Sequence, residues 1–133
     1  MGGLVADTHA VVWYLGKSPR LSATARERMR EAIASGNPVH VPTICLVELT
    51  YLIEKGRLPA LVRERLLDHL RRRRSGFRAH ALDLGTAATL ARVPREQVPD
   101  MPDRIIAATA LHLNLPLISR DRRIRASGLE VVW

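Results

Sequence analysis

The chain has little cysteine, few aromatic residues and no long apolar run, and each shortage removes a class of protein. Cys45 is the only cysteine, so an internal disulfide is excluded, and bridge-stapled secreted scaffolds with it. It lies in an apolar segment with helical spacing, where a cysteine ordinarily packs as a small hydrophobe. No apolar stretch approaches the roughly 20 residues that cross a bilayer, and Met1-Gly2-Gly3-Leu4 lacks the basic and hydrophobic regions of a leader. A cytoplasmic protein without a membrane partner is expected. Aromatic residues make up only 4 % of the chain, which assigns Trp13, Tyr14 and Trp133 to core or dimer packing rather than to stacking on bases. Histidine and cysteine are missing at metal-ligand spacing, and this disfavours a zinc-type site.

What the chain has in excess is positive charge. The formal charge is +8, supplied almost wholly by arginine, whose planar fork pairs with phosphate oxygens. Nucleic acid is one partner class this suits; a merely basic surface, or one neutralised by an acidic partner protein, is the other, and composition does not choose between them. With 133 residues and 47 % hydrophobic content, a single domain spanning residues 1–133 can bury a substantial core.

Punctuation divides the chain into short alternating elements. Leu4 to Asp7 reads as a buried strand and Thr8 to Leu15 as a short helix leaving it. Ser22 caps a helix with Ala25, Met29 and Ala32 or Ile33 on one face, closed by Gly36. Val39 to Val41 reads as a strand, Pro42-Thr43 opens a helix to Glu54, and Pro59 opens another with Val62, Leu66 and Leu70 aligned. A strand near Phe77 to Leu82 and a helix from Thr86 to Arg92 follow. Pro94, Pro99 and Pro102 make Val93 to Pro102 a loop. Asp103 to Leu113 is apolar nearly all round and so predicts a buried helix, followed by strands at Leu117 to Ser119 and Glu130 to Trp133. This alternation predicts an α/β fold, a parallel sheet covered by helices on both faces.

Four carboxylates interrupt those apolar runs: Asp7, Glu48, Asp103 and Asp121. Each costs several kcal/mol, on the order of a buried charge in a relaxed protein, unless a cation or donors compensate it. Taken singly, Asp7 and Asp103 read as helix caps and Asp121 as a turn residue. Glu48 has no capping work inside a helix, and a salt bridge to an arginine stays open for it. Taken together they fall at the carboxyl ends of strands or at helix starts, where the functional crevice of an open α/β sheet lies. Oxygen-only ligands of this kind suit Mg²⁺, with Mn²⁺ as a substitute.

The strings Asp7-Thr8-His9-Ala10-Val11-Val12-Trp13-Tyr14-Leu15, Pro42-Thr43-Ile44 with Glu48-Leu49, Asp100-Met101-Pro102-Asp103-Arg104-Ile105-Ile106-Ala107-Ala108-Thr109-Ala110 and Ser119-Arg120-Asp121 resemble the PIN-domain family. More narrowly they resemble VapC-type ribonuclease toxins of toxin-antitoxin pairs. The resemblance spans nearly the whole chain in the family's order. It implies a three-layer α/β/α fold and a metal-dependent endoribonuclease with Asp7, Glu48, Asp103 and Asp121 as catalytic, metal-holding acids. Thr8 and Ser119 match pocket-lining hydroxyls, and Asp100 matches a less regular acid, with a loop or capping role equally open. It also implies RNA as substrate, a homodimer, and a cognate antitoxin lying beside the helices of Thr43 to Arg73.

The expected chemistry is hydrolysis by metal-activated water, leaving a 5′-phosphate and a 3′-hydroxyl. Arg71, Arg72, Arg73 and Arg74 close a helix, which suits its C-terminal dipole, but they also offer a phosphate track to which Arg120 and Arg122 could contribute. Arg104 follows the third acid and reads as its ion-pair partner or as a phosphate contact. His9 and His112 read as packing residues. A phosphatase with an aspartyl nucleophile is disfavoured because no second acid follows Asp7 by two residues. A DNA nuclease holding a branched substrate would ordinarily need a longer chain. A non-toxin PIN-like nuclease, or a non-catalytic module binding nucleic acid or antitoxin, is the remaining alternative; the second has no use for a negative pocket.

Overall fold

The computed structural model of the chain describes residues 3–125 and 128–133. Short runs, β-branched or leucine-containing in all but β3, form five strands: β1 (Leu4–Ala6), β2 (Val39–Pro42), β3 (Phe77–His80), β4 (Leu117–Ile118) and β5 (Val131–Val132). They join in one sheet of order β3-β2-β1-β4-β5, and every neighbouring pair is parallel. In β1 all three residues are buried, and in β4 both are. Adjacent strand residues point to opposite faces, so both faces of the sheet centre are covered.

The covering layers are α1 (Thr8–Leu15), α2 (Ala23–Ala34), α3 (Ile44–Glu54), α4 (Ala60–Arg71), α5 (Leu84–Thr89), α6 (Met101–Leu113) and α7 (Arg122–Arg125). The chain first steps from β1 to β2 to β3, then returns past β1 to β4 and β5. Right-handed crossovers in opposite directions place their connecting helices on opposite faces of the sheet, α1 to α4 on the outward steps and α5 and α6 on the return. This confirms the expected parallel sheet between helical layers. The core is built on Val5, Val39, Val41, Leu117 and Ile118 of the sheet with Met29, Leu49, Leu66 and Ile106 from the helices. Cys45 is buried among them, as expected. Among the described residues no helix is long and apolar enough to cross a membrane.

Several boundaries differ from the sequence reading, and each difference has a local cause. Asp83 accepts the Thr86 amide at 2.8 Å, so α5 starts at Leu84 and gives way to a 3-10 turn over Leu90–Arg92. Asp100 accepts the Asp103 amide at 3.1 Å and caps α6, which therefore begins at Met101 with Pro102 in its first turn; Asp103 is not the cap. Pro42 pairs with His80 at the end of β2, so α3 begins only at Ile44. The edge strand β3 stops at His80 instead of reaching Leu82, and the last two strands are shorter than expected. α2 and α3 end as predicted, with Gly36 and Gly56 at φ of 76° and 73° supplying the left-handed residue that lets the following amide bond back to the helix.

Candidate active site

β1 and β4 are the strands between which the chain order reverses, and their carboxyl ends open a crevice. Asp7 follows β1 directly, and its backbone amide still bonds Ile118 of β4 at 3.1 Å. Ser119 follows β4, and its hydroxyl accepts the Asp121 amide at 3.0 Å. α3 brings Glu48 and the start of α6 brings Asp100 and Asp103 to the same edge. The result is a cleft of about 350 Å³ lined by Asp7, Glu48, Asp100, Asp103 and Asp121 together with His9, Trp13, Arg120 and Trp133.

Capping a helix does not keep these acids out of the cleft. Asp7 accepts the Ala10 amide at 2.9 Å and so caps α1. Asp121 accepts the Arg123 amide at 2.8 Å and starts α7. Asp100 caps α6. Because one carboxylate oxygen is anchored to a helix start, each acid is held rigidly at the cleft, which is how short elements make a precise site. Glu48 cannot cap and is held by a side chain instead: the Thr8 hydroxyl donates to its Oε1 at 2.5 Å. Thr8 and Ser119 are thus buried supports beneath the acids.

No arginine neutralises this cluster; among the described residues none of its acids has an ion pair within 4.0 Å. The salt bridge left open for Glu48 is not made. Arg104, expected beside Asp103, turns away: its Nε donates to the Val93 carbonyl at 2.9 Å and its Nη2 to the Leu90 carbonyl at 3.2 Å. It ties the 3-10 turn to α6. The electrostatic consequence has one direction for Asp7, Glu48 and Asp103. Burial lifts the carboxyl of Asp7, which is only 9 % exposed, above the usual carboxylate range, against the pull of the Ser119 and Ala10 hydrogen bonds. Burial also raises Glu48, again against its hydrogen bond from Thr8. Asp103 is pushed up to about 8, first by burial, then by the Asp100 charge, and further by Asp121 and Glu48. Burial and the same acids push the Cys45 thiol up, so it is no nucleophile.

Oxygen atoms of Glu48, Asp100 and Asp103 lie within 4.8 Å of one another, a spacing that one cation can bridge. Clustered carboxylates, with the proton affinity of Glu48 and Asp103 raised and no arginine counter-charge among the described residues, are what a hard divalent cation would compensate. The donor set is all oxygen, which fits Mg²⁺ or Mn²⁺. Asp100 is therefore part of the acid cluster as well as a helix cap. Asp7 and Asp121 line the same cleft.

The other candidates separate cleanly. Arg120 lines the cleft and Arg122 is exposed on α7 beside it. Arg71, Arg72 and Arg73 line a different surface with Phe77 and Arg78 at the start of β3, and Arg74 is exposed next to it. Strand starts and strand ends are opposite edges of a parallel sheet, so this run lies away from the acids. His112 is exposed rather than buried, and a Cβ on Gly85 would come within 2.5 Å of its ring; a packing role against α5 holds. Trp13 and Trp133 pack in and against the core, as expected, and the sequence reading missed that they also line the cleft. The available signal was position: Trp13 lies on the helix that Asp7 caps, and Trp133 directly follows the strand beside β4.

Comparison with known proteins agrees with this arrangement. The family model of the PIN domain matches residues 4–128. Ribonuclease VapC22 of Mycobacterium tuberculosis is 29 % identical over 126 residues, covering 95 % of this chain and 92 % of that protein. Among solved structures, VapBC2 from Rickettsia felis bound to a promoter DNA fragment superposes with a TM-score of 0.71 at 16 % identity, over 97 % of this chain and 96 % of the other. A toxin-antitoxin complex from Klebsiella pneumoniae gives 0.64 at 22 % identity, covering 98 % and 96 %, and FitAcB from Neisseria gonorrhoeae gives 0.63 at 21 %, covering 96 % and 95 %. These structural likenesses speak for the fold. With the family match running from β1 to beyond α7, and the acids meeting at the switch point of the sheet, the chain belongs to the PIN-domain family.

Proposed function

We propose that the chain is a divalent-metal-dependent endoribonuclease and the toxin of a toxin-antitoxin pair. The observation that carries this reading is the convergence of five carboxylates from four segments on one cleft, with three of them within 4.8 Å and none ion-paired among the described residues. Likeness to a ribonuclease of the VapC group and to chains of toxin-antitoxin complexes supports RNA as substrate and an antitoxin as partner.

In this mechanism Glu48, Asp100 and Asp103 would hold the cation, with Asp7 and Asp121 lining the same cleft. A divalent cation so held supplies a lowered pKa for an attacking water and charge compensation for the phosphate. Thr8 orients Glu48, and Ser119 orients Asp7 by donating to its carboxylate. Arg120, at the mouth of the cleft, offers N–H donors to an RNA phosphate. Attack by water rather than by the ribose 2′-hydroxyl leaves a 5′-phosphate and a 3′-hydroxyl. Exposed Val47 and Tyr51 on α3 and Leu61 on α4 support the antitoxin lying along those helices. The similarly exposed Leu84 and Met101, on α5 and α6, support self-association as a homodimer.

The test is cleavage of RNA and of single-stranded DNA by the wild-type chain with Mg²⁺, with Mn²⁺ and with EDTA. Metal-dependent cutting of RNA with 5′-phosphate ends is expected. Activity that survives EDTA, or a 2′,3′-cyclic phosphate on the product, overturns the mechanism.

A further inference from the structure

The geometry points to a nucleobase-stacking subsite beside the acids, formed by Arg120 with Trp13 and Trp133, that holds the base next to the phosphate being cut. This deepens the ribonuclease reading and rests on it. The chain has only two tryptophans, and both stand on the wall of the acid cleft. Their rings are 6.0 Å apart, edge to face, and the His9 ring adjoins Trp13 at 5.4 Å.

Arg120 is the informative member. It stands between Ser119 and Asp121, at the mouth of a cleft with five carboxylates, yet among the described residues it makes no ion pair. Its guanidinium carbon lies 4.7 Å over the Trp13 ring. A guanidinium is weakly hydrated on its faces and hydrogen-bonds through its edges, so stacking on an indole leaves an outer face and an edge free. Trp13 itself is 8 % exposed and cannot receive a base, but it can hold the arginine in place. The exposed surface of the stack is thus Arg120, flanked by the half-exposed Trp133. Unstacked RNA bases are commonly held on aromatic rings or arginine planes of this sort.

A base seated there puts its own phosphate over the acids, because the subsite and the acids line one cleft. The subsite would accept single-stranded RNA and reject a duplex, whose bases cannot leave their stack without loss of pairing. Two other roles for Arg120 make different forecasts. A phosphate clamp is preserved by lysine, which keeps the charge and lacks the plane. A simple cover for Trp13 affects stability and leaves the response to nucleotides unchanged.

Two measurements separate these roles. In the first, tryptophan fluorescence is followed while a short single-stranded oligoribonucleotide is added to an Asp103→Asn variant that cannot cut it. Quenching is expected, since both fluorophores line the subsite, and no quenching despite binding seen by anisotropy overturns the proposal. In the second, wild type, Arg120→Lys and Trp133→Leu cut an oligoribonucleotide whose cleavage position is mapped, and the same oligomer with an abasic nucleotide on either side of the cut. On intact RNA each variant should lose about tenfold in kcat/KM, within the range that base stacking supplies. One abasic position should cost wild type a similar factor and cost Arg120→Lys almost nothing further. Full activity of Arg120→Lys, or losses that multiply instead of overlapping, sinks the subsite. If wild type cuts no RNA at all, the ribonuclease reading fails, and the fluorescence titration still decides whether bases bind here.

Discussion

The acid cleft and the arginine run just before β3 are two strongly charged regions of the chain, and they are built in opposite ways. Asp7, Glu48, Asp100, Asp103 and Asp121 are scattered through the sequence, partly buried for the most part, and brought together by the sheet. Arg71 to Arg74 are consecutive, exposed, and separated from the acids by the length of the strands. Of this run only Arg72 has an ion pair among the described residues, with Asp68 one helical turn earlier. Exposed charges in water are screened and each is worth little, whereas like charges drawn together in a half-buried cleft are costly until compensated. The first region therefore is the one a bound cation would stabilise, and the second gains little from a counter-ion.

The largest effect that tests this contrast is on stability against pH. Asp103 has a proton affinity raised from an ordinary 3.8 to about 8, with Asp7 and Glu48 raised in the same direction. The folded metal-free chain thus keeps protons that the unfolded chain has released. Stability from this source is full below about pH 4 and falls as pH rises toward 8. Urea unfolding at pH 5 and pH 8.5 should show a weaker metal-free protein at the higher pH, with Mg²⁺ or Mn²⁺ restoring it. Asp103→Asn should flatten the dependence and abolish cleavage together. An equally steep fall in that variant would mean that the acids do not act as a cluster.

A smaller effect is expected from Thr8→Val, which keeps the buried shape and removes the donor to Glu48. Loss of a partner that orients a metal ligand commonly costs about 10–100-fold in metal affinity or activity. Titration with Mn²⁺ should show the weakening while the fold persists; unchanged affinity would place Glu48 outside the ion's surroundings. The smallest effect belongs to the other region. Replacing Arg71, Arg72, Arg73 and Arg74 by Gln should leave cutting of a short oligomer unaltered. If long RNA touches this edge, the salt slope of binding should become shallower by roughly 0.7 for each lost contact. An unchanged slope would make the run a helix-terminal feature and nothing more.

Much of this was legible in the sequence because it depends on local chemistry. Ser22 and Gly36 bound α2, and Gly56 closes α3, because caps and left-handed residues are chosen by neighbours a few positions away. The buried helix α6 was visible in its stretch from Ile105 to Ala110, apolar except for Thr109. The acids were legible because a carboxylate inside an apolar run is out of place on energetic grounds. What misled was also local. Asp83 and Asp100 cap helices that were expected to start two residues later, and Asp100 proved to belong to the acid cluster it precedes. Arg104 was expected to pair with the adjacent acid, yet its side chain reaches carbonyls eleven and fourteen residues back. Trp13 and Trp133 are 120 positions apart, and nothing in their neighbours reveals that they touch.

The amino-acid sequence by itself determined the alternation of strands and helices, the caps, the net positive charge and the identity of the four misplaced acids. These follow from hydrophobic period, backbone preference and the cost of burying charge, all of which act over a few residues. Only the tertiary structure decided that β1 and β4 lie side by side, because strand order is set by crossovers that span the chain. That adjacency brings Asp7, Asp121, Arg120 and both tryptophans to one cleft, and leaves the longest run of arginines at the other edge of the sheet.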